Sequence, residues 1–187
     1  MPIPLAVADP RWTRTSLVPM RAAAFVSYAA HSAQAFADDN VAAGRWPAFQ
    51  ALERAQRDFA ESLPQGVATA ENFLFEIVVA KTVTPGLDTS DALGTDDVTV
   101  GILWFAVVQK HGIAQAFVND LEIYPAFRRK GYARFAFHAL EDLAGARGIT
   151  QIGLHVFAHN VAAQALYRSL GYGVTSHNML KQLEPRA

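Results

Sequence analysis

Apolar positions along the chain follow two different periods, and the changes of period mark the elements. From Met20 to Phe36, alanines with Phe25, Tyr28 and Phe36 recur among polar residues and predict a helix, which the polar stretch DDNVAAGRW at 38–46 breaks. Pro47 stands where a first helical turn tolerates proline, Phe49, Leu52, Phe59 and Leu63 recur near the helical period, and Glu53 and Arg57 form an i,i+4 pair. A second amphipathic helix ending before Pro64 is expected. NFLFEIVVAKTV from Asn72 and VTVGILWFAVVQ from Val98 are β-branched and aromatic runs joined by the long polar segment TPGLDTSDALGTDD, and a tight turn at QKHG leads into IAQAFVNDLEI. Residues 72–123 therefore read as an antiparallel meander.

After Pro125 the period becomes helical again, with Ala133, Ala136, Phe137, Leu140 and Leu143 on one stripe until Gly148. QIGLHVF at 151–157 reads as a strand, Asn160 as an N-cap, and Ala163, Leu166, Tyr167 and Leu170 as one face of a further helix stopped by Gly171. A last strand is expected near 173–182. Strand, helix, strand, helix, strand after a meander gives a mixed α/β domain, and a right-handed crossover makes 113–123 and 151–157 parallel neighbours.

Composition narrows the chemistry. With 187 residues, about half of them hydrophobic, one domain spanning 1–187 is the expectation. Sixteen Lys and Arg against seventeen Asp and Glu leave a net charge of −1, so nothing in the whole chain points to a nucleic-acid or membrane partner, and any anion site must be local. The absence of cysteine excludes a cysteine nucleophile, a disulfide and Cys-ligated zinc. The start MPIPLAVADP lacks the form of a signal peptide and ILWFAVV is too short to span a bilayer, so a cytoplasmic location is expected.

The local anion site is legible at Arg128, Arg129, Lys130 and Gly131, between a strand and a helix. Such a junction aims free N–H groups and the positive end of the helix dipole at one point, where a phosphate fits. Taken alone, the same residues also read as a solvated basic turn that starts a helix.

The wider pattern is that of a known superfamily. RRKGYA resembles the R/Q-x-x-G-x-G/A acyl-coenzyme A loop of the GNAT N-acyltransferases, and HNVAAQALYRSLGY resembles their N-x-x-A-x-x-L-Y-x-x-x-G-F/Y helix, in the family's order within residues 116–172. FADDNVAAGRWPAF and LHVFAHN further resemble a bacterial subgroup. The resemblance implies a mixed α/β fold: a mostly antiparallel sheet with one splayed parallel pair, 116–123 and 151–157, and helices on both faces. It implies acetyl-coenzyme A as the cofactor, cradled at its pyrophosphate by Arg128, Arg129, Lys130, Gly131, Tyr132 and Ala133, with the Arg128 side chain beside it and Asn160 contributing from the next helix. Ile123 would offer a backbone N–H to the thioester carbonyl. Ala133 stands where many relatives have glycine.

The family's reaction is direct attack of an amine on the thioester, which suits a chain without cysteine. By position in the motif, Tyr167 is the hydrogen-bond donor to the departing thiolate; read without the motif, it is a core aromatic. For the base, Glu122 is the first choice and Asp120 the second, both on one strand face if the strand is regular, with Asn119 opposite; a bulge would change that assignment. Tyr28, Asp38, Asp39, Arg45 and Trp46 are candidates for the acceptor site because the family lays its first helices over that cleft. His155 and His159 lie across a strand end rather than on a helix, so no metal site is expected. Few residues follow Gly173, so the wall that many relatives build from a C-terminal hairpin is expected to be short. A small-molecule amine or a peptide N-terminus is the expected acceptor, a homodimer is possible, and a non-catalytic acyl-coenzyme A sensor is the competing reading. Tyr167 argues for the enzyme.

Overall fold

The computed structural model describes residues 14–80, 97–181 and 183. Five strands form one sheet in the order β1-β2-β3-β4-β5: β1 (Thr15–Pro19), β2 (Asn72–Val79), β3 (Val98–Lys110), β4 (Ile113–Ile123) and β5 (Ile152–Leu154). The first four are antiparallel and β5 runs parallel to β4, through Ala116↔Ile152, Phe117↔Gly153 and Val118↔Leu154. The meander and the parallel crossover stand as expected. The long polar segment between β2 and β3 lies outside the described residues. The β3–β4 turn is closed by His111 and Gly112, both in the left-handed region (φ 53° and 77°), the twist that two-residue hairpins require.

Helix α1 (Ala22–Ala42) and helix α2 (Ala48–Ser62) cover one face of the sheet, while α3 (Tyr132–Gly145) and α4 (Val161–Ser169) pack on the other. The main core lies between the sheet and α3, where Phe105, Phe135, Phe137 and Leu140 are fully buried. Tyr28, Leu63, Leu74, Ile102 and Trp104 form a second cluster under α1 and α2.

Several expectations need correction. Helix α1 does not end at Asp38. Asp38 takes an amide hydrogen bond from Gln34, and buried Asn40 donates to the Phe36 carbonyl, so these polar residues are satisfied within the helix, which stops only at Ala43 and left-handed Gly44. Phe49 and Leu52 do not form the buried face of α2; they are 83% and 39% exposed. That face is made instead by Ala51 and Ala55 against Ala33 and Ala37 of α1, small residues that let two helices approach closely. β1 was not foreseen: it is short and only Leu17 is buried. β5 spans three residues rather than seven, and among the described residues 173–181 no strand forms where one was expected near 173–182. Residues 173–181 are irregular and exposed, with Val174, Met179 and Leu180 on the surface, because a three-residue β5 offers little edge for a ladder.

One irregularity in β4 positions the site. Trp104 pairs with Asp120 but Phe105 pairs with Val118, so Asn119 is an extra residue, a β-bulge. Before it, Ala114, Ala116 and Val118 face the α3 core; after it, Leu121 and Ile123 do. The bulge thereby turns Asp120 and Glu122 toward α1.

Candidate active site

β4 and β5 are bonded only at their lower ends, with Ala116 N–H donating to Gln151 as the ladder begins, and beyond Val118 and Leu154 the strands part. The edge exposed by this parting carries backbone polar groups. Tyr124 N–H donates to Val100, and antiparallel bonded pairs alternate, so Glu122 and Asp120 bond back to β3 while Leu121 and Ile123 direct N–H and C=O toward the gap. Gly101 is required where β3 crosses this point, since a side chain there would strike the Glu122 carbonyl.

A cleft of about 940 Å³ runs from this gap, between α1 and α2 on one side and the start of α3 and α4 on the other. At one end it meets the loop after β4. Arg129 and Gly131 both take left-handed backbone (φ 62° and 90°), and Gly131 caps α3 with no side chain bonded to the helix N-terminus. Phe135 N–H is the first to bond within the helix, to the Gly131 carbonyl. The first-turn N–H groups of Tyr132, Ala133 and Arg134 are therefore left with no helical acceptor, and these residues and Gly131 line the cleft. This is a fit for a phosphate group. Arg128 and Arg129 line the cleft too, but the Arg128 side chain turns back, donating from Nε to the Ile123 carbonyl at 2.8 Å and lying 3.9 Å from Glu122 Oε1. Lys130 bonds the Ala126 carbonyl and sits over the Phe127 ring, and it is not part of the cleft wall.

The two carboxylates are held differently. Asp120 Oδ2 accepts hydroxyl hydrogen bonds from Ser32 at 2.7 Å and Tyr28 at 3.2 Å, and burial raises the pKa of this carboxyl against the opposing pull of those two donors. Tyr28, buried and beside Asp120, has its phenol raised well above the ordinary value, mainly by burial and then by the aspartate's charge. Glu122 Oε2 lies 2.9 Å from Nε2 of His31. Tyr28, His31 and Ser32 form one face of α1 by their i, i+3, i+4 spacing. Sequence reading had missed His31 and Ser32; a polar stripe on a helix that must also bury a tyrosine was the available signal.

Across the cleft, Asn160 caps α4 by accepting from Ala163 N–H, and both residues line the wall. Tyr167 lines it as well, its ring edge-on to Phe137 at 5.3 Å. Burial, and secondarily the charge of Asp120, raises the pKa of its hydroxyl, so Tyr167 remains a proton donor through neutrality.

The acceptor candidates divide. Tyr28 lies beneath the cleft as a donor to Asp120. Asp38 faces a separate shallow hollow with Ala48, Ala51 and Leu52, and Trp46 is packed against Phe36 and Arg54, so neither stands in the main cleft. Asp39 and Arg45 do line it, where they clasp the segment after β5: His159 Nε2 is 2.9 Å from Asp39, Arg45 donates to His155 Nε2 at 3.2 Å, and Arg45 also covers Phe157. Burial, then Arg45, lowers the pKa of His155, in keeping with a neutral ring that accepts. Asp58, Phe59 and Ser62 of α2, none of which sequence reading placed in the site, complete this end, with Phe59 packed on Trp104 at 5.1 Å between ring centres. No group of three metal-ligating side chains gathers among the described residues, and none of their helices is long and apolar enough to cross a membrane.

Residues 53–172 match the Acetyltransferase (GNAT) family. The uncharacterized N-acetyltransferase YycN of Bacillus subtilis is 33% identical over 167 residues, covering 89% of this chain and 97% of that protein. YdgE of the same organism, likewise an uncharacterized N-acetyltransferase, is 31% identical over 85% of this chain and 92% of its own. The crystal structure of YycN superposes with a TM-score of 0.77 over 91% of this chain and 99% of that one. The structure of AAC(6')-Iy in complex with the bisubstrate analog CoA-S-monomethyl-acetylneamine shares the fold, with a TM-score of 0.55 at 14% identity over 91% of this chain and 99% of that one. The chain belongs to the GNAT acetyltransferase family.

Proposed function

We propose that the protein transfers the acetyl group of acetyl-coenzyme A directly to a primary amine while both substrates occupy the cleft. The single observation that carries this reading is the convergence on one cleft of an uncapped helix start, an unpaired β4 edge, a carboxylate and a protonated tyrosine. Acetyl-coenzyme A supplies the activated thioester. Gly131, Tyr132 and Ala133 hold its pyrophosphate by backbone N–H, with Arg129 and Arg134 adding charge. The N–H groups of Leu121 and Ile123 donate to the thioester oxygen, where negative charge develops.

Three proton transfers remain. An amine of pKa near 10 is about 0.1% neutral at pH 7, so freeing its lone pair costs roughly 4 kcal/mol. Glu122, adjacent to Ile123 and in the cleft wall, takes that proton. Tyr167 donates its hydroxyl hydrogen to the departing sulfur, and the second proton that the nitrogen sheds as the amide forms returns to the tyrosine through solvent. Asp120, already committed to Ser32 and Tyr28, orders the floor beside Glu122.

The far end of the cleft suits a cationic acceptor. Asp58 is half-buried there with no ion-pair partner among the described residues, beside the Phe59 and Trp104 rings. A small polyamine-like metabolite and a peptide N-terminus both meet that chemistry. The test is a panel of amines and N-terminal peptides with acetyl-coenzyme A, read by thiol release. Release that depends on one amine class supports the proposal. Tight coenzyme A binding with no release from any acceptor, nor slow release without one, would make the chain a sensor of the cofactor instead.

A further inference from the structure

His31 connects the floor of the cleft to bulk water. Its side chain is 60% exposed, whereas that of Glu122, 2.9 Å away, is 22% exposed, and the Glu122 oxygen that meets His31 is Oε2, leaving Oε1 on the side of Arg128. The groups facing Glu122 are few: His31 from α1, Asp120 from its own strand, Arg128 from the loop, and Tyr124, whose phenol is raised chiefly by burial and then by Glu122, Glu76 and Asp120. Asp120 is occupied by Ser32 and Tyr28, and a guanidinium neither accepts nor releases a proton at ordinary pH. Of this set, His31 alone offers two ring nitrogens, one on the carboxylate and the other on the exposed side of the ring.

We infer that His31 is the relay by which the acceptor's proton leaves Glu122. The inference rests on Glu122 as base. The ammonium gives its proton to Glu122, forming the carboxylic acid and the free amine. The acid then returns that proton to the Nε2 lone pair of His31, restoring the carboxylate and forming an imidazolium. The Nδ1 proton passes to water, leaving the Nε2–H tautomer, and before the next turnover the exposed ring gives its Nε2 proton to water and takes one up at Nδ1, which restores the starting form. With acceptor and acetyl-coenzyme A filling the cleft, direct access of water to Glu122 is blocked, while the outer side of His31 on α1 stays wet.

The test is buffer rescue with the acceptor found by thiol release. His31→Ala and His31→Gln should lose about 10-fold to 100-fold in kcat in dilute buffer, up to the lower end of general acid–base contributions because His31 acts one step removed from the acceptor, with KM for acetyl-coenzyme A unchanged. Added imidazole should restore the His31→Ala rate in proportion to its base concentration, while the wild type stays insensitive. A merely structural role for His31 would not produce that dependence. Two folded variants with wild-type kcat, or a loss that no buffer base restores, would overturn the relay. Glu122→Gln separates the two failures: if it is impaired while His31→Ala is not, the base survives and the relay falls; if it keeps the wild-type rate, both fall.

Discussion

Ser32 donates its hydroxyl to Oδ2 of Asp120 at 2.7 Å, the same oxygen that receives the Tyr28 hydroxyl at 3.2 Å. The bulge at Asn119 makes this possible, because it turns Asp120 from the α3 side of the sheet to the α1 side. Two carboxylates two residues apart thus have different surroundings, one roofed by hydroxyls and one touching an exposed imidazole.

A stability prediction follows from the sign of the Asp120 shift. Burial raises its pKa in the folded state, so folding favours the protonated carboxyl. That contribution is fully present below the ordinary carboxyl pKa of about 3.9 and is lost as pH rises through the raised value. Asp120→Asn mimics the protonated form and still accepts from Ser32. It should match or exceed wild-type stability at pH 7, with the difference vanishing in acid, as denaturant titration at several pH values would reveal. Ser32→Ala leaves a buried charge short of a donor and should cost about 1.5–3 kcal/mol at pH 7.

For the loop, Gly131→Val places a β-branched residue at φ 90°, which only glycine adopts without strain, and fills the approach to the α3 N-terminus. Coenzyme A affinity should fall at least tenfold. Arg128→Glu should weaken it similarly by reversing local charge and would also free the Ile123 carbonyl. Calorimetry giving wild-type affinity for both folded variants would remove the loop from the site.

Much of this arrangement was legible before the fold. The meander, the crossover, the Asn160 cap and the α3 stripe follow from local periodicity, because each element buries one face of its own sequence. The acceptor side was less legible since it depends on contacts between distant segments. Asp38 and Asp39 are adjacent in sequence, yet only Asp39 turns into the cleft to meet His159, 120 positions away. The buried face of α2 was hidden because alanines at 51 and 55, not the larger Phe49 and Leu52, fit the narrow α1–α2 gap. His31 announces itself only once the Asn119 bulge has set the direction of Glu122.

Tyr167 offers a separation of packing from chemistry. Its ring fills a place against Phe137 and Tyr172, and its hydroxyl stays protonated because burial raises its pKa. Tyr167→Phe keeps the ring and removes the donor. We expect kcat to fall about 10-fold to 1000-fold with little change in coenzyme A affinity. Lower thermal stability with turnover intact would assign the residue to the core alone.

The assignment of Glu122 is tested by pH. It precedes Ile123, whose N–H faces the β4–β5 gap, and it lines the same cleft, so an amine nitrogen approaching that point comes within its reach. Glu122→Gln preserves size and removes basicity. At pH 7, kcat/KM should drop by about 10²-fold or more, the range for loss of a general base. Above neutrality the free fraction of the acceptor amine grows tenfold per pH unit until its own pKa near 10, so the variant should recover by that factor while the wild type gains less. The recovery distinguishes lost basicity from lost structure, since a misfolded or misaligned site would stay slow at every pH. A glutamine variant with the wild-type profile would make Glu122 an ordinary strand carboxylate. Deprotonation would then fall to Asp120, whose pKa burial raises, or to desolvation of the amine itself.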